Sequence, residues 1–300
     1  MSGTSDEGRS VGAGVVSGEL RRITVAEGVA LSVRIRAGRS DAVPFLLVHG
    51  LASNARMWDG VADRLAELGH PSAAVDQRGH GLSDKPDAGY DFATITDDLV
   101  SLIGQLGWDR PVVAGQSWGG NVVLELGWRF PQQVRGIVCV DGGTIELADR
   151  FASWEACREA LTPPALVGTP AAKLEAMFRR MHPDWPESGI AGSLANFEVR
   201  PDGTVAPWLS LDRHLQILRG LWEHRPSQRY PQIQVPVLLV PAGPGGDAAD
   251  PEKRSVIEAA ERAIPRARTH WMAGDHDIHA QHPVEMADLV AEQVVEGFFA

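Results

Sequence analysis

The sequence predicts an α/β protein: a mostly parallel sheet with helices on both faces, interrupted by a helical insertion. Three observations predict it. Short apolar runs of strand length recur in "VPFLLVHG", "SAAVDQRGHG", "PVVAG" and "VRGIVCVDGG". Several are continuous rather than alternating, as strands buried on both faces are. Segments with helical apolar spacing lie between them, and strand–helix alternation with short connections is what a parallel sheet requires. The alternation stops over residues 144–230 and resumes with "VPVLLVPAG".

The elements follow in order. Residues 1–18 are rich in Gly and Ser without periodicity and read as a disordered tail. They lack a basic stretch followed by an apolar one, so they do not read as a targeting segment. "RRITVAEGVALSVRIRAG" gives two β-type runs broken at Glu27-Gly28, a hairpin signal. Residues 43–50 read as a buried strand, and 55–68 as a helix carrying Met57, Val61, Leu65 and Leu68 on one face. Residues 72–81 read as a strand ending in a loop, and 94–107 as a helix with Thr94 or Thr96 as its cap. A strand at 111–115 leads to a helix at 119–130, stopped by Pro131, and then to a strand at 134–143. Residues 144–230 hold helical patches, prolines and four of the nine tryptophans, with no strand pattern. Beyond them lie a strand at 235–243, a helix at 251–263, a strand at 268–274 and a helix near 283–298. The expected division is a core of 19–143 and 231–300 with a helical lid of 144–230.

Bulk properties exclude some roles. A formal charge of −11 argues against nucleic acid or an anionic membrane as partner. No apolar stretch approaches the ~18–20 residues that a spanning helix needs. The expected location is the cytoplasm. Two cysteines, Cys139 and Cys157, cannot build a disulfide framework and read as reduced and structural.

Gly115-Gln116-Ser117-Trp118-Gly119 matches G-x-S-x-G. The demand behind that pattern is steric, because a strand must turn sharply into a helix while lifting one hydroxyl clear of the backbone. The strand before Ser117 and the helix after it supply that context. A serine hydroxyl needs a base. Among ten histidines, His49, His80 and the pair His276 and His279 all follow strands at the carboxyl edge of the sheet. Spacing does not choose among them.

Several segments together resemble the α/β-hydrolase superfamily. "LLVHGLASNARMW" resembles its His-Gly oxyanion loop, "DQRGHGLSDKP" the loop after its next strand, and "GQSWGG" its nucleophile elbow. "PVLLVPAG" and "GDHDIHAQHP" resemble the strands that carry its acid and its histidine. The resemblance implies an eight-stranded, mostly parallel sheet and a triad. It assigns Ser117 as nucleophile and His276, seven residues before Pro283, as base, with His279 as runner-up. It gives His49 a structural role in holding the oxyanion loop. It places the acid at Asp247, four residues before Pro251, with Asp141 as the alternative acid and Asp250 as a near competitor. Asp275 and Asp277 flank His276, and neighbours on an extended segment point apart. The backbone amides of Leu51 and Trp118 are the implied oxyanion donors, and their side chains would make the pocket floor apolar.

In the insertion, Trp154, Met181, Trp185 and Trp208 are candidates to line an apolar pocket. The reading that follows is a serine hydrolase acting on an ester, lactone or thioester of a fairly apolar small molecule. It uses water and an acyl-enzyme, needs no metal or organic cofactor, and works as a monomer or homodimer. Ser117 speaks against branches of the superfamily with an Asp nucleophile. Two alternatives remain: a carbon–carbon hydrolase of dienoic ring-cleavage products, whose relatives often carry Asn where this chain has Gln116, and a small-molecule receptor on the same fold.

Overall fold

Alternate residues of the central strands go to opposite sides of one sheet, and this organises the molecule. The computed structural model describes residues 18–244 and 249–300. The tail expected over 1–18 therefore lies, except for Gly18, outside the described residues. The strands are β1 (Glu19–Ala26), β2 (Val29–Arg36), β3 (Phe45–Val48), β4 (Ser72–Asp76), β5 (Val112–Gln116), β6 (Gly136–Val140), β7 (Phe197–Val199), β8 (Val205–Pro207), β9 (Val237–Val240) and β10 (Ala267–Thr269). The helices are α1 (Asp59–Glu67), α2 (Phe92–Gln105), α3 (Trp118–Arg129), α4 (Leu147–Arg150), α5 (Trp154–Leu161), α6 (Ala171–Met181), α7 (Glu187–Leu194), α8 (Leu211–Glu223), α9 (Pro251–Ala263), α10 (Ile278–Gln281) and α11 (Pro283–Val295).

Eight strands form one sheet in the order β1-β2-β4-β3-β5-β6-β9-β10. The hairpin β1–β2 and the pair β2–β4 are antiparallel, and the remaining pairs are parallel. The hairpin turns at Glu27-Gly28, where Gly28 takes a φ of 69° that a side chain would resist. Phe45, Leu47, Val112, Ala114, Val138 and Leu238 enter one core with α1 and α11. Leu46, Val48, Val113, Ile137, Cys139 and Leu239 enter the other with α2, α3 and α9. Both faces are covered, so these strands read as unbroken apolar runs.

Some elements differ from the sequence expectation. The helix expected from residue 55 opens with a 3-10 turn, Ala55–Trp58, capped by Asn54, whose side chain accepts from the Arg56 amide. The cap of α2 is Asp91 rather than Thr94 or Thr96, with Asp91 Oδ1 accepting from the Thr94 amide at 2.9 Å. The last strand of the sheet, β10, ends at Thr269, and an isolated bridge from Met272 to Ala242 continues the pairing.

The insertion between β6 and β9 supplies α4 to α8, and it also holds the antiparallel hairpin β7–β8, which the sequence did not suggest. Its turn is built by Asp202, which accepts from the Thr204 amide at 2.9 Å, and by Gly203 at a φ of 78°. The insertion is bonded to loops at the carboxyl edge of the sheet. Asn54 Nδ2 donates to Gly192 O at 2.8 Å, Arg213 Nη2 to Lys85 O at 2.7 Å, and Trp185 Nε1 to Asp275 Oδ2 at 3.2 Å. Among the described residues no helix is long and apolar enough to cross a membrane.

Candidate active site

Ser117 stands alone between β5 and α3 with φ 54° and ψ −122°. A non-glycine residue there costs on the order of 1–3 kcal/mol, and it persists only if its surroundings hold it. Two bonds do so: Ser117 N donates to Val140 O at 2.9 Å, and Gly120 N to Ser117 O at 2.8 Å. The flanking glycines are a packing requirement. A Cβ on Gly115 would lie 2.1 Å from Gly119 O, and one on Gly119 would lie 2.5 Å from His49 O. The strand, the elbow and the loop after β3 meet too closely for any side chain.

That loop is braced by two buried histidines. His49 Nε2 accepts from the Gln77 amide at 3.0 Å, so its Nδ1 carries the proton and donates to Gly50 O at 2.7 Å. His80 is held in the same tautomer, with Nε2 accepting from the Ala52 amide at 3.3 Å and Nδ1 donating to Arg78 O at 3.0 Å. Burial pushes both imidazoles below the ordinary histidine range, so both stay neutral. The braced loop presses on Ser117, since a Cβ on Gly50 would lie 3.2 Å from Ser117 Cβ. Leu51 follows directly. The Trp118 amide, at the first position of α3, has no carbonyl to reach within its helix. Its indole is 1% exposed and stacks on His80, with ring centroids 5.6 Å apart. This corrects the expectation that Trp118 helps floor the pocket: the indole is core, and half-buried Leu51 is the more open of the two.

His276 lies in the loop after β10 and directs Nδ1 at Asp141 Oδ2, 2.6 Å away. Asp141 is the first residue after β6 and takes a φ of 42°. Its other oxygen, Oδ1, accepts from the Ala242 amide at 2.9 Å and meets Lys253 Nζ at 2.5 Å. Burial alone would push the Asp141 carboxyl up, but the bonds from His276, Lys253 and Ala242 outweigh it and hold the carboxyl below its usual range. Desolvation disfavours the charged form of His276, yet the bond and charge of Asp141 raise it above the ordinary value of 6.5. The carboxylate that meets the histidine is therefore the alternative acid. Asp247 lies outside the described residues, and Asp250 is occupied as the cap of α9, accepting from the Lys253 amide at 2.9 Å.

The other predicted residues are placed as follows. His279 is fully buried against Trp58, with ring centroids 4.3 Å apart, and burial pushes it down to about 3. Trp154 packs against Trp222 and beneath Arg219. Met181 ends α6 with 58% of its surface exposed. Trp185 is buried and bonded to Asp275. Trp208 lines a cavity of about 520 Å³ whose walls include Ala52 and His80 from the core and Leu166, Phe178 and Phe197 from the insertion. A second cavity, of about 650 Å³, is walled by Asp141, His276, Lys253, Arg150, Thr144 and Ile145. Among the described residues no group of three or more His, Cys, Asp or Glu is placed to hold a metal ion.

Two contributors escaped the sequence reading. Gln116 Nε2 donates to His276 O at 3.2 Å, tying the histidine loop to the elbow. Its place immediately before Ser117 was the available signal. Lys253 was hidden because nothing local to α9 points to β6.

Comparison with known proteins agrees with the topology. Residues 45–289 match the family model described as the alpha/beta hydrolase family. A 2-(acetamidomethylene)succinate hydrolase from Mesorhizobium japonicum is 28% identical over 195 residues, which span 65% of this chain and 68% of that protein. Epoxide hydrolase A of Mycobacterium tuberculosis is 38% identical over 112 residues, 37% of this chain and 33% of that protein. The crystal structure of an E-2-(acetamidomethylene)succinate hydrolase superposes with a TM-score of 0.75 at 24% identity, covering 92% of this chain and 99% of that one. A thioesterase domain from the curacin biosynthetic pathway superposes at 0.73 with 19% identity, covering 91% and 99%. With the family model covering most of the chain and the sheet order observed directly, this chain belongs to the alpha/beta hydrolase family.

Proposed function

We propose that the protein is a serine hydrolase that cleaves an ester, lactone or thioester of a fairly apolar small molecule through an acyl-enzyme. The observation that carries the reading is the 2.6 Å pairing of His276 with Asp141 at the same sheet edge as the strained Ser117. In the proposed mechanism Ser117 Oγ attacks the carbonyl carbon while His276 Nε2 takes its proton. Asp141 fixes the tautomer by accepting from Nδ1 and stabilises the imidazolium that forms. The amides of Leu51 and Trp118 donate to the developing oxyanion. His276 then protonates the leaving alcohol or thiol, and the same base activates the water that releases the acid. Residues 144–230 serve as the lid, and the 520 Å³ cavity beneath them, with Trp208, Phe178 and Phe197, takes the apolar group. In substrate screening, Ser117→Ala should lower turnover of p-nitrophenyl acyl esters by at least about 10⁴-fold. Wild-type activity in that variant would sink the reading. Rapid bleaching of a dienoic ring-cleavage product would instead favour the carbon–carbon hydrolase.

A second reading of the substrate comes from the relatives and not from charge, since the cavity beside His276 sets Arg150 and Lys253 against Asp141, Asp149, Asp250 and Glu252. Relatives named for (acetamidomethylene)succinate and N-formylmaleamic acid would, by analogy, make the substrate a small acid carrying a hydrolysable acyl group. Saturation by succinate-type amides, absent for neutral esters, would favour it.

A further inference from the structure

Three donors converge on the Asp141 carboxylate, and the mechanism above uses one of them. Lys253 is the third residue of α9, counting from Pro251. A cation in the first turn of a helix is disfavoured by the helix dipole, so local electrostatics do not explain a lysine there. Its ammonium instead bridges two partners across the sheet edge, Asp141 Oδ1 at 2.5 Å and Ala242 O at 2.6 Å. Ala242 N donates to the same Oδ1 at 2.9 Å. These contacts close a ring around one oxygen and leave Oδ2 for His276. The Asp141 side chain is 10% exposed and that of Lys253 35%, so the pair is only partly screened by water.

From this geometry we infer that Lys253 is a positioning residue of the proposed triad: it fixes the rotation of the Asp141 carboxylate and offsets part of its charge. His276 is then oriented by an acid whose pull on the imidazolium is moderated. Among the described residues, the groups facing His276 are Asp141 from the turn after β6, Lys253 from α9, Asp277 from its own loop and His279 from α10. Asp149 and Arg150 of α4, with Asp250 and Glu252 at the start of α9, line the same cavity. Of these, Lys253 is the cation in contact with the acid. Removing it should leave Asp141 fully negative toward His276.

The inference rests on the assignment of Ser117, His276 and Asp141 above, and the test separates the two. The His276 ring is titrated by NMR in the full chain, its signal assigned with His276→Gln. In Lys253→Met the titration should move up by about one unit, the shift an uncompensated neighbouring charge produces. Lys253→Arg should restore the wild-type position. The acidic limb of kcat/KM for a p-nitrophenyl ester should move by the same amount, with kcat at neutral pH falling and KM little changed. Should Lys253→Met lose its folded circular dichroism, Lys253→Gln makes the same comparison, retaining a donor without the charge. An unmoved titration in the folded variant overturns the inference, even if activity drops. Activity surviving in Ser117→Ala would overturn the hydrolase assignment, while the titration would still report on Lys253.

Discussion

The acid of the site is a question about single side chains. In sequence Asp141 follows β6 and Asp247 follows β9, two strands that pair in the sheet. Sequence spacing ranks them only by resemblance. Among the described residues, geometry supplies one contact: Asp141 Oδ2 lies 2.6 Å from His276 Nδ1. Asp141→Asn should lower kcat by about 10³–10⁴-fold by favouring the wrong imidazole tautomer, with KM little changed. Steady-state kinetics against the folded variant would check this. The raised titration of His276 also has a signed consequence. In the proposed mechanism His276 must be neutral to accept the Ser117 proton, so kcat/KM should fall as pH drops through a value above the ordinary histidine 6.5. A pH–rate profile whose acidic limb lies below that value would contradict the Asp141 pairing. The strain at Ser117 predicts a trade as well. Ser117→Gly should be inactive yet more stable by about 1–2 kcal/mol, because glycine takes φ 54° freely. Chemical denaturation of both proteins measures it.

At the scale of elements, legibility followed length and local cause. The helix at Pro251–Ala263 has its cap and first-turn proline adjacent in sequence, and its expected bounds match those observed. The elbow was legible for a similar reason, since the clash a Cβ would make at Gly115 is with Gly119 O, inside the same five residues. The hairpin β7–β8 was not legible, because strands of three residues give too few alternations to define a period. The bracing of the oxyanion loop by His49 and His80 was foreseen as a structural role for His49. The bonds themselves link two separate strand ends, those of β3 and β4, however, and no local pattern encodes them. The bond from Trp185 in the insertion to Asp275 beside His276 is likewise invisible until the chain is folded.

For the whole molecule, the continuous apolar strands announced a sheet buried on both faces, and the two cores divide the strand residues by alternation. The family followed from the order of several such segments. The substrate did not, because both cavities beside the site are assembled from residues far apart in sequence, Ala52 with Trp208 in one and Asp141 with Lys253 in the other. The central claim, that this assembly forms a covalent acyl-enzyme at one serine, can be measured without knowing the substrate. The folded protein is treated with a fluorophosphonate and examined by intact-mass and peptide mass spectrometry. The account predicts a single adduct on the peptide carrying Ser117, absent from Ser117→Ala and strongly slowed in His276→Gln. No adduct in folded protein, or an adduct on another residue, would contradict it and favour a receptor that keeps the fold without the chemistry.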